Sequence, residues 1–265
     1  MKKIVFSGMR PTGRLHLGHL LGASSVRVKW DEDGSPRSIL FSGDIGRKND
    51  SLLEDPETPL QVDYLVCEST YGGRFHQDRD TPEEIVQQII QETCVNQPGR
   101  LIVPAFSVGR TQAFLYILHR LQKQGALPAI PVFTDSPMAR KSTHVYDDFI
   151  PFLNPSAKEF ADLNGSLFEF DQVTYLPDMN SAEQVQNYQD SCIILTSSGM
   201  VRGGKSEDHV MMNLQNPFCT ILFIGYCAEG TLGGRLLRGK SSLRIDSEHI
   251  PVNARIERTD IFSGH

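Results

Sequence analysis

The sequence has no apolar run long enough to span a bilayer, which excludes a helical membrane protein. Its beginning lacks the apolar stretch and small-residue cleavage site of a secretory leader, so the chain is expected in the cytoplasm with no membrane partner. The five cysteines, Cys67, Cys94, Cys192, Cys219 and Cys227, are odd in number and show no CxxC spacing. Most lie in or beside apolar runs, which reads as buried reduced thiols rather than a disulfide framework or a zinc ribbon. Positive charge is in deficit, 26 Lys and Arg against 32 Asp and Glu, giving a net charge of −6. That excludes a generally basic coat but leaves room for a local phosphate-binding groove, because placement matters more than the total. There is no internal repeat and no low-complexity linker.

What is present is a globular composition over 265 residues, 39% hydrophobic and 22% charged, enough to bury a core in one large or two modest domains. Strand and helix patterns alternate. Val26–Trp30 and Ser38–Ser42 flank a turn with Asp33 and Gly34 and read as a hairpin. Tyr64–Cys67 reads as a third strand. Thr81 caps an expected helix from Pro82 to about Val95, with Glu83 and Glu84 in its first turn. Strands follow at Leu101–Phe106 and Ile130–Thr134, with a helix at Thr111–Gln124 between them and another opened by Pro137. The pattern weakens between Asn154 and Asp190, apart from a strand near Val173–Leu176. Cys192–Thr196 and Thr220–Tyr226 are continuous apolar runs of the kind buried in parallel sheets. Leu243–Ile245 and Val252–Ile256 complete the set, and the alternation makes the fold class α/β.

Several apolar runs end in polar residues that a sheet could aim at a ligand. Asp44 follows FSG and precedes Gly46; it could point at a metal, but taken alone a turn in which it bonds its own backbone is the better reading. Glu68 ends YLVCE and could orient a histidine, bind metal or cap the next segment. Ser197, Ser198, Gly203 and Gly204 lie between a strand and a helix that carries His209, and hydroxyls with exposed N–H groups there suit an anionic phosphate. A lone helical histidine such as His209 is by itself usually structural or solvated. Ser107 and Arg110 repeat the strand–loop–helix arrangement, and Arg110 could clamp a phosphate or pair with a surface acid. His265 follows Phe262, Ser263 and Gly264, and His76, His119, His144 and His249 show no ligand spacing.

Read together, GHLLGASSVRV, ILFSGDIG, VDYLVCESTYG, LIVPAFSVGRTQ, DSPMA, TSSGMVRGG, FIGYCAEGTLGGRLL and FSGH resemble the β-CASP branch of the metallo-β-lactamase superfamily. That branch contains ribonuclease J and the nuclease subunit of the polyadenylation machinery. The resemblance runs from about His19 to His265. It implies a partial metallo-β-lactamase αββα sandwich, formed by residues 24–75 and 206–265, with an inserted Rossmann-like β-CASP cap over 76–205. It implies RNA phosphodiester hydrolysis with two zinc ions. By position it makes His19, Asp44 and His265 metal ligands and Asp44, Glu68 and His209 the catalytic set, with Glu68 orienting His209. Ser107, Arg110, Ser197, Ser198, Gly203 and Gly204 would hold the RNA backbone. The family signature HxHxDH occurs nowhere in these residues. Three ligands remain, fewer than the roughly four a metal needs, so weak zinc binding and impaired cleavage are expected.

Residues 1–23, MKKIVFSGMRPTGRLHLGHLLGA, resemble instead the start of a tryptophanyl-tRNA synthetase, which would place His16 and His19 at ATP phosphates. No matching KMSKS-like loop accompanies them, and the two resemblances meet at HLLGA, as in a fused or truncated gene product. The alternative to an impaired nuclease is a non-catalytic module that binds RNA or a partner. Missing sandwich strands would leave sheet edges that invite a homodimer.

Overall fold

The computed structural model describes residues 5–7, 25–57, 61–70, 72–73, 81–176, 185, 187–245 and 248–263. The chain divides into two compact units. The first comprises Met1–Phe75, Asp148–Glu159 and Gly264–His265; the second comprises His76–Asp147 and Phe160–Ser263.

In the first unit, β1 (Val5–Ser7), β2 (Val26–Glu32), β3 (Ser35–Phe41) and β4 (Tyr64–Val66) form one sheet in that order. The β2–β3 hairpin closes through Asp33 and Gly34, both at positive φ (52° and 84°), as a two-residue turn matched to strand twist requires. Asp31 Oδ1 accepts from the Gly34 N–H at 2.8 Å and fixes that turn. β4 pairs parallel to β3 and is the sheet edge, with Tyr64, Leu65 and Val66 half exposed. Residues 148–159 join this unit through a Leu53–Leu153 bridge and through Asn154, whose backbone N–H donates to the Leu52 carbonyl at 2.9 Å. Leu52 and Leu153 are buried together with that contact.

The second unit is built on six strands in the order β12 (Arg255–Arg258), β9 (Cys219–Phe223), β5 (Arg100–Pro104), β8 (Cys192–Thr196), β6 (Val132–Asp135) and β7 (Val173–Tyr175). Every neighbouring pair is parallel. The central strands are apolar along their length because both faces are covered. Ile102, Ile194, Ile221 and Phe223 pack in one cluster with Val210, Leu214, Leu232 and Leu236. On the other face the Thr93 and Thr220 hydroxyls bond at 2.8 Å. The edge strand β12 carries Arg255, Glu257 and Arg258, charges that discourage edge-to-edge pairing.

Helices among the described residues include α1 (Pro82–Ile90), α2 (Arg110–Lys123), α3 (Pro137–Asp148), α4 (Pro155–Asn164), α5 (Lys205–Asn213) and α6 (Leu232–Leu236). The cap at Thr81 is as expected: its side chain accepts from the Glu84 N–H while Glu84 reaches back to the Thr81 N–H. The helix changes to π geometry over Gln91–Val95. A second two-stranded sheet joins β10 (Ser242–Ile245) and β11 (Glu248–Pro251).

The α/β class is therefore as expected, and the boundary differs. Residues 206–263, assigned from sequence to the sandwich, sit in the second unit. The reason is β9, whose five buried residues pair parallel with β5 and so lie inside the six-stranded sheet. Residues 1–23 fall outside the described residues except for β1.

Candidate functional site

In the second unit β5 and β8 are neighbours, yet their following helices lead to opposite sides of the sheet, α2 to β6 and α5 to β9. Adjacent strands with oppositely directed connections make a topological switch point, where open parallel sheets commonly bind ligands. The loops after β5, β6 and β8 bring three hydroxyls together there. Ser107 Oγ lies 2.9 Å from Ser197 Oγ and 3.2 Å from Ser136 Oγ, and Ser197 Oγ lies 2.9 Å from Ser136 Oγ.

The run GRTQ explains how the first loop is held. Gly109 adopts φ 83° before α2, a conformation that favours glycine. Gln112, fully buried, accepts from the Gly109 N–H at 2.8 Å and donates to the Ser107 carbonyl at 3.2 Å. Thr111 donates to the Phe106 carbonyl at 2.8 Å. The loop after β8 lies directly against this one: a Cβ on Gly199 would stand 3.0 Å from the Phe106 backbone nitrogen. Arg110 places its guanidinium 4.8 Å from the Phe106 ring centre, and its Nε donates to the Phe262 carbonyl at 3.2 Å.

Behind the hydroxyls lies an acid that inspection of the sequence did not single out. Asp135, the last residue of β6, is buried; its Oδ2 is 2.8 Å from His209 Nε2, and its Oδ1 accepts from Lys205 Nζ. Burial pushes its carboxyl up, but the hydrogen bonds from His209 and Lys205 outweigh that and hold it below the usual carboxylate range. Asp135 ends an apolar run and precedes Ser136 and Pro137, the same signal that drew attention to Asp44 and Glu68. It opens DSPMA, which served only as a family mark.

His209 is buried, and within the second unit its carboxylate partner is Asp135. Glu68 belongs to the first unit, where Oε1 accepts from the Ile45 N–H at 2.9 Å and its own N–H donates to Ser42 Oγ at 2.9 Å. It thus ties the loop of Asp44 to its own. Asp44 itself is exposed.

The glycine cradle is also partly self-satisfied. The Gly203 N–H donates to Glu207 Oε2 at 2.6 Å, and the Ser206 N–H donates to the Ser197 carbonyl at 3.2 Å. Glu207 and Asp208, in the first turn of α5, already complement its dipole. Ser198 Oγ accepts from the Arg202 N–H at 3.2 Å, which folds the loop on itself.

His16, His19 and His265 lie outside the described residues. Among the described residues no group of three or more His, Cys, Asp or Glu side chains could hold a metal. Of the three expected ligands, Asp44 lies among the described residues. Four of the five cysteines are buried, with Cys67 exposed, and all are free. Burial pushes the Cys94 and Cys219 thiols up to about 12, so they stay protonated and unreactive. Among the described residues no helix is long and apolar enough to cross a membrane.

The Beta-Casp domain family matches residues 111–236. Over 94% of its length this chain is 28% identical to a ribonuclease of Thermus thermophilus, of which it covers 56%. It is 30% identical to an RNase J-like protein of Methanocaldococcus jannaschii, again over 94% of this chain and 56% of the relative. Cleavage and polyadenylation specificity factor 73 of Drosophila melanogaster is 30% identical over 94% of this chain and 35% of its own length. The chain thus spans about half the length, or less, of these curated relatives.

Proposed function

Taking as premise that this chain carries a Beta-Casp domain and is related to RNA-processing nucleases, we propose that it holds the phosphate backbone of RNA at the carboxyl edge of its six-stranded sheet. The observation that carries this reading is the convergence of Ser107, Ser136 and Ser197 within 3.2 Å of one another at the switch point. Hydroxyls donate and accept, so such a cluster can turn its protons toward phosphate oxygens without burying a net charge. Arg110 and Ser198 stand at the same loops and are proposed as further backbone contacts. Gly203 and Gly204 supply the turn that leads into α5.

The proposed reaction type is metal-dependent phosphodiester hydrolysis, in line with the ribonucleases among the relatives. In this chain the proposed ligands are His19, Asp44 and His265, with zinc the expected metal and Glu68 supporting the Asp44 loop. HxHxDH does not occur in the 265 residues, and three side chains fall short of the roughly four donors one zinc requires. The cleavage proposed for the chain is therefore weak or absent, and no catalytic step is assigned through the metal. A second reading is a non-catalytic RNA-binding module, supported by the lack of HxHxDH in the 265 residues. The exposed edge β4 supports a homodimer as a further partner.

Metal analysis, cleavage and binding on the full chain separate these readings. The expected result is substoichiometric zinc, little cleavage, and RNA binding that weakens steeply with salt and ignores chelators. Stoichiometric zinc with cleavage lost on Asp44→Ala overturns the impairment. Absence of salt-sensitive RNA binding overturns the RNA reading itself.

A further inference from the structure

Strand alternation sorts the side chains of the first unit's four-stranded sheet onto two faces. The register puts Val28, Ile39 and Tyr64 in one row and Val26, Phe41 and Val66 in the next, all on the same face. Trp30 and Arg37 pair at one end of that face. None of these side chains is buried, and Phe41, Tyr64 and Val66 are 43%, 50% and 50% exposed. Arg27, Lys29 and Ser38 lie on the opposite face with Leu40, and there Ser38 and Leu40 are buried. The apolar side of this sheet is left open, whereas a half-solvated sheet turns its polar side outward.

The composition of the open face suits a protein contact. Trp30 and Tyr64 stack at 6.0 Å with their planes 18° apart. Together with Arg37 they are the residue types that dominate binding energy where proteins meet. Arg37 is matched by two acids, its Nε 3.5 Å from Glu32 Oε2 and its Nη1 3.3 Å from Asp63 Oδ1. It therefore offers no surplus cation to a phosphate, and the ion pairs form a polar rim. An occupant of this face has to be apolar and flat, and the same face on a second copy is both. Two such sheets stack about 10 Å apart with their strands roughly aligned. A two-fold axis then lets each copy bury what the other exposes. Across β2, β3 and β4 the face measures roughly 14 Å by 17 Å, a size that suits a weak, reversible dimer rather than an obligate one.

We propose that two copies of this chain pair face to face through β2, β3 and β4, forming an intermolecular sandwich. This rests on the homodimer reading above and deepens it, assigning the contact to the sheet face instead of the β4 edge. Trp30, the single tryptophan of the chain, lies on that face and reports its burial.

The dissociation constant is expected above about 1 μM, weaker than full-sized interfaces reach. Sedimentation equilibrium of the full chain should show the mass rising from monomer to dimer with concentration. Trp30 emission should shift to the blue over the same range. Phe41→Lys, on an interior strand, should weaken dimerisation by about 30-fold or more and abolish the emission shift. Val66 and Leu65 are neighbours on the edge strand and belong to opposite faces, Leu65 being 55% exposed. Val66→Lys should act like Phe41→Lys, while Leu65→Lys should leave both dimer and emission shift unchanged. Circular dichroism checks that each variant is folded, as expected at positions this exposed. Equal loss in Val66→Lys and Leu65→Lys, with none in Phe41→Lys, overturns the face and leaves the homodimer reading on the β4 edge. A dimer whose Trp30 emission does not move also overturns the face. A chain that stays monomeric throughout overturns the face and the homodimer reading together.

Discussion

Two acidic residues that end strands in this chain, Asp135 in the second unit and Glu68 in the first, have contrasting settings. Asp135 closes an interior strand of a six-stranded parallel sheet and is buried, with a lysine and a histidine on its two oxygens. Glu68 follows an edge strand of a four-stranded sheet, where Tyr64, Leu65 and Val66 are half exposed, and its carboxylate accepts from the Ile45 and Thr70 N–H groups. The first acid is locked by its surroundings. The second staples two loops, those after β3 and β4. Similar sequence signals thus yield a buried electrostatic pin in one unit and a loop tie in the other, and the difference is the amount of sheet around each.

The sharpest way to break this contrast is to remove the buried acid. Asp135→Ala is expected to destabilise the second unit by about 3–5 kcal/mol, because it strands Lys205 and His209 without their partner. Urea unfolding followed by circular dichroism reads this, and a loss below about 1 kcal/mol would place the network among weak surface pairs. Gly199→Ala comes next, at about 1–3 kcal/mol, since its Cβ would meet the Phe106 nitrogen and the Ala105 carbonyl carbon near 3.0 and 3.1 Å. A crystal structure of that variant should show the two loops pushed apart and the Ser107–Ser197 bond lengthened. Glu68→Gln should cost less, about 1 kcal/mol, because an amide oxygen can still accept from Ile45; hydrogen exchange at the Ile45 amide should rise modestly. The smallest effect is expected at Thr196→Val, within about 0.5 kcal/mol of wild type, as the Thr196 hydroxyl is buried with no partner among the described residues. Marked destabilisation there would reveal a hydrogen bond to solvent.

A pH titration sharpens the same comparison. The folded carboxyl of Asp135 is held below its ordinary value of 3.8. Its ionised form therefore stabilises the fold fully above that value, and the contribution is lost as pH falls through the lower, folded pKa. Acid unfolding of wild type should show this added loss at the acid extreme, and Asp135→Asn should not. An identical acid limb in both proteins would remove the electrostatic account.

Legibility in the sequence followed how local each cause is. The β2–β3 turn at Asp33 and Gly34 and the cap formed by Thr81 and Glu84 rest on neighbours two or three residues apart, and both were readable. The β12, β9, β5 and β8 strands reach across long loops, so their pairing was not, and neither was the clustering of residues 206–263 with the second unit. Asp135 was overlooked for the same reason. Its partners, Lys205 and His209, are 70 and 74 residues away in the chain, and no spacing rule links them. Tyr226 was read as strand because an apolar run gives no sign of where the sheet ends.

By itself the sequence determined that the chain is α/β, that its chemistry gathers where strands end, and that HxHxDH is absent from these residues. Periodicity, turn chemistry and motif content are properties of neighbouring residues, and they survive without a fold. Which ends meet is a matter of strand order. Only the tertiary structure set β5 beside β8, brought Ser107, Ser136 and Ser197 together, and paired His209 with Asp135. Parallel pairing buries apolar strands from distant parts of the chain, and that burial chose which polar ends would become neighbours.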